Sequence, residues 1–148
     1  MHKFLILMAT GLGSGYAKIV PGTFGTLPAI PLILLTDSFS ILTKFLIFIF
    51  LFVGGIISAE YYEKYFDKKD PSEVVIDEIA AYYLMLMFIP VNAVNIVISF
   101  VLFRIFDITK PYPIRNAESV GGGVGIMIDD ILAILYSLAV FFVIRAFL

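Results

Sequence analysis

Residues 120–148 read VGGGVGIMIDDILAILYSLAVFFVIRAFL. Glycines come first, then the adjacent acids Asp129 and Asp130, then an apolar run broken near its end by Arg145. The apolar part, residues 131–144, falls short of the roughly 20 residues a helix needs to cross a bilayer. It reaches that length only if the helix begins before Asp129, which places two charges inside a segment suited to lipid. A charge at membrane depth is costly and calls for a partner or a function.

The rest of the chain points the same way. Of its 148 residues, 61% are hydrophobic and 15% charged, and the mean hydropathy is +1.03. A water-soluble domain of this size needs more polar surface, so an integral membrane protein is expected, as one domain over residues 1–148. The net charge of −2 excludes a broad nucleic-acid-binding face, and no feature asks for an obligate protein partner. There is no cysteine, hence no thiolate metal site or cysteine nucleophile. The one histidine is His2, so histidine-based catalysis has no support. The apolar stretch at residues 4–9 is short and runs straight into a glycine-rich loop, so we read it as mature sequence, not a signal peptide.

Three more apolar blocks precede the last one. They cover residues 24–35, interrupted by Pro28 and Pro31, residues 41–59, and residues 79–103, split by Pro90-Val91-Asn92. Asp70, Pro71 and Glu73 supply an N-cap, a first-turn proline and a third-position glutamate, which predicts a helix over 71–89. A second helix follows over 93–106, and Pro111 and Pro113 end it. With a turn at Thr36-Asp37-Ser38 and the third block as a hairpin, residues 1–23, 60–72 and 104–125 fall on one side. That side holds Lys3, Lys18, Lys64, Lys68, Lys69, Arg104, Lys110 and Arg115, and the positive-inside bias makes it cytoplasmic. The expected fold is all-α, a small polytopic membrane helical bundle with some short hairpin or re-entrant helices.

Polar clusters interrupt the blocks on that same side. Asp77 and Glu78 fall about two turns into the predicted helix, too deep to serve as caps. Arg104, Asp107 and Lys110 are spaced to drift along one helical face. Each cluster has a plain structural reading. Asp129 and Asp130 would suit the positive end of a helix dipole. Arg104 and Asp107 would form an ion pair, Asp77 and Glu78 would pair with Lys64 or Lys68, and Lys64, Lys68 and Lys69 would contact anionic lipid. Tyr82, Tyr83, Tyr112 and Tyr136 read as packing or interfacial aromatics. Together, however, the clusters bring five carboxylates from three segments to one interface. Oxygen ligands without histidine or cysteine suit Mg²⁺ or Mn²⁺. The glycine-rich loop, with Ser14, Gly15, Gly22, Thr23, Gly25 and Thr26, offers hydroxyls and backbone N–H groups for phosphate. Lys110, Arg104 and Arg115 add positive charge. These residues point to metal-assisted phosphoryl chemistry at a membrane surface. An ion path through a small transporter or channel subunit, or a non-catalytic scaffold, is the alternative.

Four stretches, GLGSGYAKIVPGTFGTLPAIP (11–31), DPSEVVIDEIAAYYLML (70–86), FRIFDITKPYPIR (103–115) and GGGVGIMIDDILA (121–133), resemble the phosphatidylglycerophosphatase A family. The resemblance implies a bacterial inner-membrane, all-helical enzyme that requires Mg²⁺. Such an enzyme converts phosphatidylglycerophosphate to phosphatidylglycerol and inorganic phosphate. It implies acidic site positions at Asp77, Glu78, Asp107, Asp129 and Asp130, all candidate metal ligands, and basic ones at Arg104, Lys110 and Arg115. Ser14, Pro21, Gly22, Thr23 and Gly25 fall on the family's phosphate-loop-like positions. Asp129, Asp130, Asp107 and Lys110 are the candidate catalytic residues, and water attack or an aspartate nucleophile both stay open. Ser14, Gly22, Thr23, Arg104 and Arg115 are the candidate substrate contacts. The stretch NAESV (116–120) and the triple glycine at 121–123 depart from the expected pattern.

Overall fold

The structure is a computed structural model describing residues 2–147. It contains α1 (His2–Ala9), a 3₁₀ turn (Ser14–Tyr16), α2 (Pro21–Thr26), α3 (Ala29–Thr36) and α4 (Ile41–Phe66). These are followed by α5 (Ile76–Met87), α6 (Ala93–Thr109), α7 (Ile114–Glu118) and α8 (Gly122–Phe147). Among the described residues there is no strand.

Local chemistry sets several of these boundaries. The Ser40 side chain accepts the Thr43 N–H at 3.2 Å and starts α4. Asn92 accepts the Asn95 N–H at 3.0 Å and starts α6. Both helices end on a left-handed residue, Asp67 and Lys110. The turn between α3 and α4 falls where Thr36-Asp37-Ser38 placed it.

The block at 24–35 is interrupted at Pro28, as its sequence indicates: α2 and α3 have 6 and 8 residues on either side of it. Two expectations need correction. The helix expected over 71–89 starts only at Ile76. Asp70 takes φ 47° and gives its N–H to the Glu63 carboxylate at 2.7 Å, so it is tied to α4 and does not cap α5. The Val75 N–H goes to the Ala9 carbonyl at 2.9 Å, which tethers the loop to the end of α1. Asp77 and Glu78 therefore lie in the first turn of α5, not two turns in. Lys110, finally, does not continue the face of α6; its φ of 39° turns it out of the helix.

The last helix does begin before Asp129. α8 has 26 residues with no acid in its first turn, which removes the helix-dipole explanation for Asp129 and Asp130. α4 and α8 are the two described helices long and apolar enough to cross a membrane. They pack through small residues. A Cβ on Gly123 would collide with the Ile56 carbonyl oxygen, and one on Gly55 would lie 2.7 Å from the Met127 thioether. Close backbone approach of this kind suits helices packing in lipid, where small residues replace the hydrophobic drive. The outer face of α4 exposes Leu42, Phe45, Leu46, Ile49, Phe50 and Val53, an apolar surface that suits hydrocarbon.

α5 is the central helix. Tyr82 and Tyr83 are fully buried, and each hydroxyl finds a partner. Tyr82 donates to the Ile96 carbonyl at 2.8 Å and lies 3.0 Å from the Ser99 hydroxyl; Tyr83 lies 3.1 Å from that of Thr36. These contacts, with Tyr82 stacked on Phe103 at 5.9 Å, lock α5 to α3 and α6. The architecture is a small membrane helical bundle, and its packing fixes the first turn of α5 beside the end of α6 and the acids of α8.

Candidate active site

The first turn of α5 contributes Asp77 and Glu78, α6 contributes Arg104 and Asp107, and α8 contributes Asp129 and Asp130. Two cations thread between the acids. Arg104 Nη1 lies 2.8 Å from Glu78 Oε1 and 2.7 Å from Asp107 Oδ2. Lys110 Nζ lies 2.7 Å from Asp129 Oδ2. The turn that ends α6 at Lys110 is what lets its ammonium reach α8. Asp129 Oδ1 also accepts the Asp130 N–H at 3.0 Å.

The acids repel one another. Asp77 stands in electrostatic range of Glu78, Asp129 and Asp107, and Asp130 in range of all four other acids. Glu78, Asp129 and Asp130 are buried. Arg104 and Lys110 engage Glu78, Asp107 and Asp129, which leaves Asp77 and Asp130. Asp77 Oδ1 and Asp130 Oδ2 are buried without a hydrogen-bond partner. A buried carboxylate oxygen with no donor is costly and asks for a ligand. Among the described residues no three acids already converge tightly enough to cage a metal. Mg²⁺, however, commonly takes one or two carboxylates and completes its shell with water and substrate phosphate. The two orphaned oxygens fit that demand, so the donor set suits a hard divalent cation.

The glycine-rich loop packs on the Glu78 side. Thr26 Oγ1 donates to the Gly22 carbonyl at 2.8 Å and approaches Glu78 Oε2 at 3.4 Å. A Cβ on Gly25 would lie 2.7 Å from Glu78 Oε2, and one on Gly22 would lie 2.8 Å from Arg104 Nη2. Gly25, which a Cβ would also bring within 2.5 Å of the Val75 Cβ, is required by close approach, and Gly22 leaves room for the Glu78–Arg104 pair. Ser14 turns into its own loop, donating to the Gly11 carbonyl at 2.9 Å, and Thr23 is half-buried in α2.

A cavity of about 430 Å³ opens beside Asp129, lined also by Glu63, Lys69, Asp70, Arg115 and Gly121. Its size is that of a small-molecule site. Of the candidate substrate contacts, Arg115 lines it; Ser14, Gly22, Thr23 and Arg104 do not. The suggested pairing of Asp77 or Glu78 with Lys64 or Lys68 is absent. Lys64 pairs with Glu60 at 2.6 Å and Lys68 with Glu73 at 2.5 Å. Sequence reasoning overlooked Glu63 and Asp70 as lining residues and read Lys69 as a lipid contact.

A family profile described as phosphatidylglycerophosphatase A matches residues 7–145. The chain is 39% identical to phosphatidylglycerophosphatase A of Escherichia coli, over 86% of this chain and 75% of that protein. It is 38% identical to the Haemophilus influenzae protein of the same name, over 94% of this chain and 87% of that one. A Bacteroides thetaiotaomicron protein provisionally named a phosphatidylinositol-3-phosphatase is 40% identical, over 89% and 87%. No solved structure matches. An acid-lined site in a small membrane helical bundle, with these relatives, defines a phosphatase. The chain belongs to the phosphatidylglycerophosphatase A family.

Proposed function

We propose that this chain hydrolyses the terminal phosphomonoester of phosphatidylglycerophosphate, giving phosphatidylglycerol and inorganic phosphate. In this reading it uses Mg²⁺, crosses a bacterial inner membrane more than once, and faces the cytoplasm with its site. Family membership and the names of two relatives support the substrate. The basic residues of the loops support the orientation. The observation that carries the cation is the pair of orphaned oxygens on Asp77 and Asp130.

Asp77 and Asp130 would hold Mg²⁺, with Glu78, Asp107 and Asp129 close around them. The bound cation would neutralise charge on the phosphoryl oxygens and polarise them. Asp129, which lines the cavity, would take a proton from an attacking water. Lys110 holds that carboxylate in place. Arg104, shared between Glu78 and Asp107, orients both acids and belongs to the frame of the site more than to the cavity. The lipid tails stay in the bilayer, so only the head group must reach the cavity.

The Bacteroides relative's name favours a second head group, an inositol phosphate. Purified protein in detergent with Mg²⁺ is given phosphatidylglycerophosphate or phosphatidylinositol 3-phosphate, and released phosphate is measured. Faster release from the first supports the proposal. Release from the second alone replaces the head group, and release from neither removes the lipid phosphatase reading.

A further inference from the structure

Three lysines lie close together around the end of α4, and they differ in one respect. Lys64 is neutralised by Glu60 and Lys68 by Glu73. Among the described residues Lys69 makes no ion pair, although it is next in sequence to Lys68 and lines the cavity. Arg115 on α7 lines the same cavity and, among the described residues, likewise makes no ion pair. Two unpaired cations from separate segments therefore share one cavity with Asp129. The Glu63 carboxylate accepts the Asp70 N–H and fixes the backbone next to Lys69.

We infer that Lys69 is a further substrate-binding residue, which with Arg115 clamps a phosphoryl group at the mouth of the acid-lined cavity. The inference rests on the phosphatase reading above and names the part of the chain that receives the phosphate. A dianionic phosphoryl group cannot approach Asp129, the one of the five acids that lines the cavity, unless positive charge meets it. Arg104 and Lys110 are committed to acids at 2.7–2.8 Å, so Lys69 and Arg115 are the cations placed to meet an incoming anion. The cavity lining also holds Glu63, Asp70 and Asp129, three acids against these two bases. Anion binding is therefore expected to be weak without a divalent cation and to strengthen with it.

The full chain in detergent is compared with Lys69→Gln, Lys69→Arg and, as a control for general surface charge, Lys68→Gln. Two quantities are read with Mg²⁺ present: binding of inorganic phosphate by calorimetry, and KM and kcat on phosphatidylglycerophosphate in mixed micelles. Lys69→Gln is expected to weaken phosphate binding and raise KM, each about tenfold, with kcat changed by no more than about threefold. Lys69→Arg and Lys68→Gln should stay near the parent. Parent-like phosphate binding in Lys69→Gln, or an equal loss in Lys68→Gln, overturns the clamp. If the parent releases no phosphate from the lipid, the phosphatase reading fails separately. Phosphate binding then still decides: dependence on Lys69 supports the clamp, and independence removes it.

Discussion

Arg104 on α6 holds Glu78 on α5 at 2.8 Å, with both side chains nearly buried, and the same guanidinium nitrogen reaches Asp107 at 2.7 Å. One cation thus joins two helices and two acids. Removing one partner of a buried pair leaves an uncompensated charge, at a cost of roughly 3–5 kcal/mol. Arg104→Met should lower stability by an amount in that range, and the double variant Glu78→Gln/Arg104→Met should regain part of it. Equilibrium unfolding in detergent measures both, and an Arg104→Met protein as stable as the parent refutes the structural role.

Asp77 and Asp130 should behave in the opposite way. Their orphaned oxygens make no hydrogen bond, so Asp77→Asn and Asp130→Asn lose none there and relieve repulsion among the acids. Thermal stability without metal should hold or rise, while phosphate release falls by about 100-fold or more. Saturating Mg²⁺ should raise the parent's Tm through binding to the folded state only. Chelation should abolish that shift together with activity. An Asp130→Asn protein that keeps the Mg²⁺-dependent shift does not use Asp130 as a ligand.

The glycine loop is expected to tolerate no side chain beside Glu78. A Cβ on Gly25 would stand 2.5 Å from the Val75 Cβ and 2.7 Å from Glu78 Oε2. Overpacking of this kind costs about 1–3 kcal/mol. Gly25→Ala should therefore lower Tm and also kcat, since Glu78 must shift. Gly13→Ala is a poor comparison because φ is 95° there. Ala17→Gly, outside the contact, should leave kcat near the parent value.

Glu73, in the loop before α5, offers a titration test. The Lys68 ammonium at 2.5 Å holds its carboxyl below the usual carboxylate range. A depressed folded-state value means the pair stabilises the protein above the ordinary carboxylate range. That contribution is lost as the pH falls through the depressed value. NMR titration of Glu73 should show a midpoint below that of an exposed glutamate, moving up in Lys68→Gln. An unmoved midpoint would show the pair is not formed in solution.

Much was legible in the chain because it depends on local or compositional physics. Apolar length demanded that the last helix begin before Asp129, and it does, at Gly122. The turn at 37–40 and the start of α6 at Asn92 follow from short-range hydrogen bonds that residue types announce. The list of acids was legible too, since buried charge in an apolar chain is costly wherever it falls. The start of α5 was misread because a good local cap lost to two long-range bonds, Asp70 to Glu63 and Val75 to Ala9. Which acid pairs with which cation was equally out of reach. Arg104 meets Glu78 across 26 positions of chain, Lys110 meets Asp129 across 19, and Asp77 and Asp130 are left over. Residue type and spacing settled what charges the bundle must accommodate; only the packing of α5, α6 and α8 decided which are neutralised and which stay open. Coulomb energy depends on distance in space, and helix packing sets that distance.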